Sequence, residues 1–188
     1  MQSRFLVGLL APSMLAAQAL PRVTIETVLG PIEVEIDTVR APVSATNFLR
    51  YVDAKAYDHG GFHRTVTMGN QPNNAVKIEV IQAGADTTLN RAGTPIPLER
   101  TSVTGLKHVT GTISMARGGP DTATDQFFIC VTDQPELDFA GKRNPDGQGF
   151  AAFGIVVSGM DIVRKIQQSP AEGQRLTPPI SIIRIVRR

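Results

Sequence analysis

Three polar side chains interrupt runs that otherwise read as apolar strands. Arg64 closes Gly61-Phe62-His63-Arg64, Gln82 stands within Ile78-Glu79-Val80-Ile81-Gln82-Ala83-Gly84, and Gln126 precedes Phe127-Phe128-Ile129. A guanidinium is permanently charged, only donates hydrogen bonds and presents a rigid fork, whereas a glutamine amide both donates and accepts. Such a set can present and receive hydrogen bonds at the surface of a sheet. A lone arginine on a strand is also how a solvated surface charge looks, and the residue types by themselves leave both readings open.

Other reaction classes lack their signatures. No glycine-rich phosphate or dinucleotide loop follows a strand, and there is no Gly-x-Ser-x-Gly elbow. His59, His63 and His108 have no metal-ligand spacing with one another or with Cys130, so neither a metal nor another cofactor is expected. The carboxylates are dispersed, and no base and orienter stand in sequence around Ser114 or Cys130 as a hydrolase would need. Cys130 lies in Phe127-Phe128-Ile129-Cys130-Val131 and reads as a small core residue.

The elements that must position these residues are mostly strands. Val23 and Ile25, then Ile32, Val34 and Ile36, alternate with polar neighbours around a Gly30-Pro31 turn, which predicts a hairpin. Further strands are predicted at 61–66, 78–83, 111–116, 126–131, 151–156 and 180–187, eight in all. Helical spacing appears over 41–56, with Pro42 in the first turn and Val43, Phe48, Leu49 and Val52 on one face, and again over 160–168, with Ile162, Val163 and Ile166. Pro170 and the Pro178-Pro179 pair are expected to break the chain before the β-branched closing strand. The fold class is mainly β: a closed eight-stranded barrel, which leaves no free sheet edge, capped by two α-helices. Loops rich in Gly, Pro, Asn and Asp occupy 67–77, 84–95 and 138–149, and loops of that length are often functional. Adjacent Phe127 and Phe128 must point to opposite faces of their strand.

The 188 residues suit one domain. A formal net charge of +2, evenly scattered, gives no support to a nucleic-acid partner. Residues 1–19 differ from the rest: Arg4 precedes the apolar Phe5-Leu6-Val7-Gly8-Leu9-Leu10, and Ala17-Gln18-Ala19 has the small-x-small form of a signal-peptidase site. Residues 1–19 are therefore expected to be a signal peptide and 20–188 the mature domain, periplasmic or secreted. The leader is too short, and too interrupted by Pro12, to keep the mature protein inserted in a membrane.

Five motifs follow one another in a single order: Phe62-His63-Arg64, Ile81-Gln82-Ala83-Gly84, Gly111-Thr112-Ile113-Ser114-Met115-Ala116-Arg117, the Thr122 to Ile129 stretch ending in Gln-Phe-Phe-Ile, and Phe153-Gly154. In these the chain, over about residues 23–187, resembles the cyclophilin-type peptidyl-prolyl cis-trans isomerases, in an exported bacterial form. The resemblance implies a filled eight-stranded barrel whose outer face carries a groove for proline-containing polypeptides, acting as a monomer without a cofactor and assisting the folding of exported proteins. Carried over by residue, Arg64 is the catalytic arginine, and Gln82 holds it and the substrate backbone. Phe62, Phe128 and Leu137 line the proline pocket. Ala116 and Arg117 offer backbone contacts to an extended peptide, Gln126 supports Arg64 or the substrate, and Phe150 supplies an aromatic surface. His63 is either a groove wall or a structural histidine. A binding module that holds proline segments without catalysis is the alternative, but it has no need for the donor at Arg64.

Two departures from the family pattern stand out. Arg64 and Gln82 are farther apart than in compact cyclophilins, which places an insertion around Thr67 to Lys77. Glu79 and Val80 stand where the family often has Phe and Met, leaving one wall of the pocket to be completed by Met68 or another loop residue.

Overall fold

The computed structural model describes residues 19–85 and 93–188. Residues 1–18 of the leader expected at 1–19, and most of the 84–95 loop, lie outside the described residues. Among the described residues nine strands run in chain order: β1 (Arg22–Thr27), β2 (Gly30–Ile36), β3 (Gly61–Val66), β4 (Val80–Gly84), β5 (Thr112–Met115), β6 (Phe127–Cys130), β7 (Ala151–Ser158), β8 (Ala171–Glu172) and β9 (Arg175–Arg187). Their lateral order is β1-β2-β7-β5-β6-β4-β3-β9, and β1 also pairs with β9, which closes eight strands into the expected barrel. The two-residue β8 only extends a hairpin from β9.

Side-chain alternation accounts for the closure. Ile32, Val34 and Ile36 on β2 are fully buried, opposite Ile25 and Val23 on β1. The turn of that hairpin falls earlier than the Gly30-Pro31 expectation. Thr27 pairs with Gly30, the Thr27 hydroxyl accepts the Leu29 amide and donates to the Gly30 carbonyl, and Val28 and Leu29 form the tip. Gly30 and Pro31 therefore belong to β2 itself.

Helices α1 (Pro42–Asp53) and α3 (Met160–Gln167) are the two expected from the spacing. Between them the structure adds a single turn, α2 (Thr101–Thr104), too short to produce a periodic signal. From α1, Phe48 enters the barrel interior, with ring centroids 5.4 Å from Phe127 and 5.2 Å from Phe153. Burying a side chain of that size contributes roughly 1.5–3 kcal/mol. From α3, Ile162, Val163 and Ile166 are buried in the same core.

β9 also differs from its expected start at residue 180. It begins at Arg175 and continues through Pro178-Pro179, with a cis Thr177-Pro178 peptide. Proline has no N–H for a ladder, and here it is accommodated by a step in register. Arg64 pairs with Arg175, but Phe62 pairs with Ile180, so residues 176–179 bow out against the single residue His63.

A second, smaller apolar cluster lies apart from the barrel interior. It gathers Val66, Ile78, Val80, Phe128, Cys130 and Leu137, with Ala116 and Phe150 packed against it. Cys130 is buried as expected, though in this outer cluster rather than in the barrel core, and burial raises its thiol pKa.

Candidate active site

The bulge at His63 decides which side chains of β3 face outward. Phe62 pairs with Ala83 and Arg64 with Gln82, so two residues of β3 cross where β4 advances by one. An extra residue reverses the in-out alternation. Phe62 consequently points inward, fully buried, with its ring edge-on to Phe127 at 6.0 Å, while Arg64 emerges on the outer face. The expectation that Phe62 lines a proline pocket is corrected: it belongs to the barrel core. His63, the bulged residue, is half-buried and does not line the cleft. Burial lowers its pKa, and the neighbouring Arg64 charge adds to that.

Arg64 and Gln82 open into a cleft of about 480 Å³, which Ala116, Arg117, Gln126, Phe128, Leu137 and Phe150 also line. The structure thus brings together eight of the ten residues singled out in the sequence. Gln82 Oε1 accepts from Arg64 Nη1 at 3.0 Å, and Gln82 Nε2 donates to Gln126 Oε1 at 2.6 Å. On its other edge the guanidinium donates from Nε and Nη2 to Gln174 Oε1, at 2.9 and 2.7 Å. Three of its five N–H groups are thereby engaged, and one on each terminal nitrogen is left for a ligand. Burial lowers the Arg64 pKa and the charge of Arg143 lowers it further, yet a guanidinium stays protonated at neutral pH.

The cleft floor is apolar. Phe128 and Phe150 meet edge to face at 5.3 Å. The Phe150 position depends on Gly149, whose φ of +67° and close approach to Asp138 leave no room for a Cβ. The next amide, Phe150 N, donates to the Leu137 carbonyl at 2.9 Å. Arg117 is held beneath by Asp146 and the Gly149 carbonyl, with its guanidinium carbon 5.0 Å from the Phe150 ring centre. At the wall where Glu79 and Val80 depart from the family pattern, Val80 itself lines the cleft and Ile78 fills the rest. Met68 is 53% exposed and takes no part.

The chain matches the family model described as "Cyclophilin type peptidyl-prolyl cis-trans isomerase/CLD" over residues 22–187. It is 35% identical to a peptidyl-prolyl cis-trans isomerase of Acinetobacter baylyi, covering 92% of this chain and 88% of that one. It is also 37% identical to peptidyl-prolyl cis-trans isomerase A of Dickeya dadantii, covering 84% of this chain and 76% of the relative. The chain belongs to the cyclophilin-type peptidyl-prolyl cis-trans isomerases. A crystal structure of a Cryptosporidium parvum cyclophilin superposes with a TM-score of 0.71 at 23% identity, covering 90% of this chain and 98% of that one, a likeness of fold. As a cyclophilin the chain is an enzyme, and its family acts on proline-containing polypeptides.

Two features of this cyclophilin's cleft are not visible in its sequence motifs. The first is Gln174, the second clamp on Arg64, which comes from the β8–β9 hairpin far along the chain. Its own Nε2 donates to the Asn70 carbonyl, and Asn70 Nδ2 donates to the Thr65 and Gly173 carbonyls, so the insertion after β3 braces the hairpin that holds the arginine. The second is Gln71, buried at the centre of that insertion. It donates to the Thr67 and Ile78 carbonyls at 2.7 Å each and accepts from the Ile78 amide, which fixes Ile78 as the replacement wall.

Beneath Phe128 the structure corrects one further expectation. His108 Nδ1 lies 2.8 Å from Asp138 Oδ1 and His108 Nε2 lies 3.0 Å from Ser114 Oγ, the order of a nucleophile, base and orienter that the sequence did not show. Ser114 is fully buried and does not line the cleft, so a substrate carbonyl has no path to its oxygen. The imidazole instead stacks on Phe128, with planes 15° apart and centroids 6.0 Å apart, and Asp138 follows Leu137 directly. The three groups brace the cleft floor from below.

Proposed function

We propose that Arg64 carries the isomerase activity, by donating a hydrogen bond to the prolyl nitrogen as the X-Pro bond twists. Amide resonance raises a barrier of roughly 18–20 kcal/mol, and spontaneous exchange takes roughly 10–100 s. At the twisted transition state the nitrogen leaves conjugation and regains a lone pair that accepts a hydrogen bond. Either planar state lacks that acceptor, so the donor stabilises the transition state selectively. Phe128, Leu137, Phe150, Ile78 and Val80 would grip the ring while the preceding carbonyl swings, and would keep out water that restabilises the planar amide. Gln82, with Gln126 behind it, holds the fork and contacts the peptide backbone, and Ala116 and Arg117 border the extended chain. Rotation transfers no electrons or groups, and the reaction therefore calls for no metal or cofactor.

The observation that carries this reading is a guanidinium clamped by two glutamine oxygens beside an apolar floor, with N–H groups left over. If the charge-assisted bond contributes about 1.5–3 kcal/mol, Arg64→Ala lowers the rate by roughly one to two decades. NMR exchange on an X-Pro peptide, with protein from Leu20 onward, measures this. Peptide binding without acceleration by the unmodified protein would instead support a holding module. The leader-like residues 1–19 support export, release after Ala19 and action on exported clients. N-terminal sequencing of the exported protein is expected to begin at Leu20, and an intact Met1 would overturn that assignment.

A further inference from the structure

The cleft is lined by three arginines, Arg64, Arg117 and Arg143, and by no carboxylate among the described residues. Arg117 is neutralised by Asp146, at 2.8 and 3.0 Å. Among the described residues, the other two guanidinium groups bond only neutral oxygens: Arg64 those of Gln82 and Gln174, and Arg143 the Val76 carbonyl at 2.6 Å. Nearby acids are directed elsewhere. Glu136 Oε2 accepts the Lys142 amide, and Glu79 bonds Thr132 and Gln167. Two half-buried positive charges therefore flank one apolar pocket, close enough that Arg143 depresses the Arg64 pKa.

Resting on the reading of this cleft as the proline site, we propose that Arg143 makes the enzyme select prolines with an acidic side chain on the adjoining residue. A carboxylate placed beside the ring lies in a cleft that both cations line and is attracted by their charge, whereas a glutamine of the same shape gains no such attraction. The Val76 carbonyl, supplied by the insertion after β3, already holds the Arg143 fork, so little side-chain freedom is lost when substrate arrives. The insertion thus does more than rebuild a wall: it anchors the residue that sets charge preference.

The test compares kcat/KM by NMR exchange for four peptides in a common neutral context, Glu-Pro against Gln-Pro and Pro-Glu against Pro-Gln. Each is corrected for its uncatalysed rate, at low and at high salt. In at least one pair the glutamate peptide is expected to be favoured by roughly three- to tenfold, a preference that shrinks with salt. Arg143→Gln is expected to bring that ratio to about one, and Arg143→Lys to retain most of it. Ratios near one in both pairs for the unmodified enzyme, or a ratio that survives Arg143→Gln, would overturn the proposal. The ratio and its salt response need no variant, so a poorly folding substitution does not shield the proposal. Acceleration of none of the four peptides would instead overturn the reading of the cleft, and this inference with it.

Discussion

Gln174 shows how closely the Arg64 guanidinium is held by its neighbours. Its Oε1 takes two N–H groups of Arg64, while Gln82 takes a third from the opposite edge, so the guanidinium is gripped along two sides. On the proposed mechanism a fork held in place reaches the twisted amide without first being ordered. Gln174→Ala leaves the permanent charge intact but frees one edge. The expected outcome is a fall of about three- to tenfold in kcat with KM changed much less, and with Tm close to that of the unmodified protein. Line-shape analysis of peptide exchange separates the two constants, and an unchanged kcat would remove Gln174 from the site. Sequence inspection singles out Arg64, Gln82 and Gln126 because each is a polar residue within an apolar run. Gln174 lies in a polar turn, Gly173-Gln174-Arg175, where a glutamine carries no signal. It reaches Arg64 only through the pairing of β9 with β3.

Among the elements, regular alternation was legible and its interruptions were not. The barrel strands and both long helices follow from periodicity, because burying one face of a strand or one stripe of a helix demands a repeating pattern. Phe127 and Phe128 divide between the two clusters for the same reason, one inward and one outward. The resemblance places Phe62 in the pocket, and a regular strand would put it, two residues away, on the face of Arg64; the bulge at His63 puts the two on opposite faces. A bulge is set by how two strands register against each other, information that no local window of sequence contains. The passage of β9 through Pro178-Pro179 was hidden likewise, since the step in register that tolerates the prolines belongs to the pairing with β3. The insertion after β3 could be located in sequence, but the role of Gln71 in pinning Ile78 depends on a closed loop.

For the molecule as a whole, acid should weaken the fold in two stages. His63 has a pKa below its ordinary 6.5, chiefly through burial, so as pH falls past that value the unfolded chain takes up the proton first and stability declines. Several carboxyls are then held below their ordinary 3.8. Burial alone would raise Asp138 and Asp37, but hydrogen bonds and charge from His108 and from Arg40 prevail, and Arg117 lowers Asp146. A depressed carboxyl contributes stability above its unfolded pKa and loses it as pH falls through the folded value. Tm measured across pH is expected to be flat at neutrality, to fall slightly below about 6.5 and steeply below about 3.8. A Tm that stayed constant through both windows would contradict these assignments. The division of the apolar residues into two clusters has a separate consequence. β4 and β6 act as a shared partition: Ile81, Phe127 and Ile129 face the barrel, while Val80, Phe128 and Cys130 face the outer cluster that underlies the cleft. Mutations that retune the cleft therefore fall on positions the barrel does not need for its own cohesion. Val80 is one such position, and the same partition lets an engineer rewrite substrate choice on one side while leaving the scaffold on the other untouched.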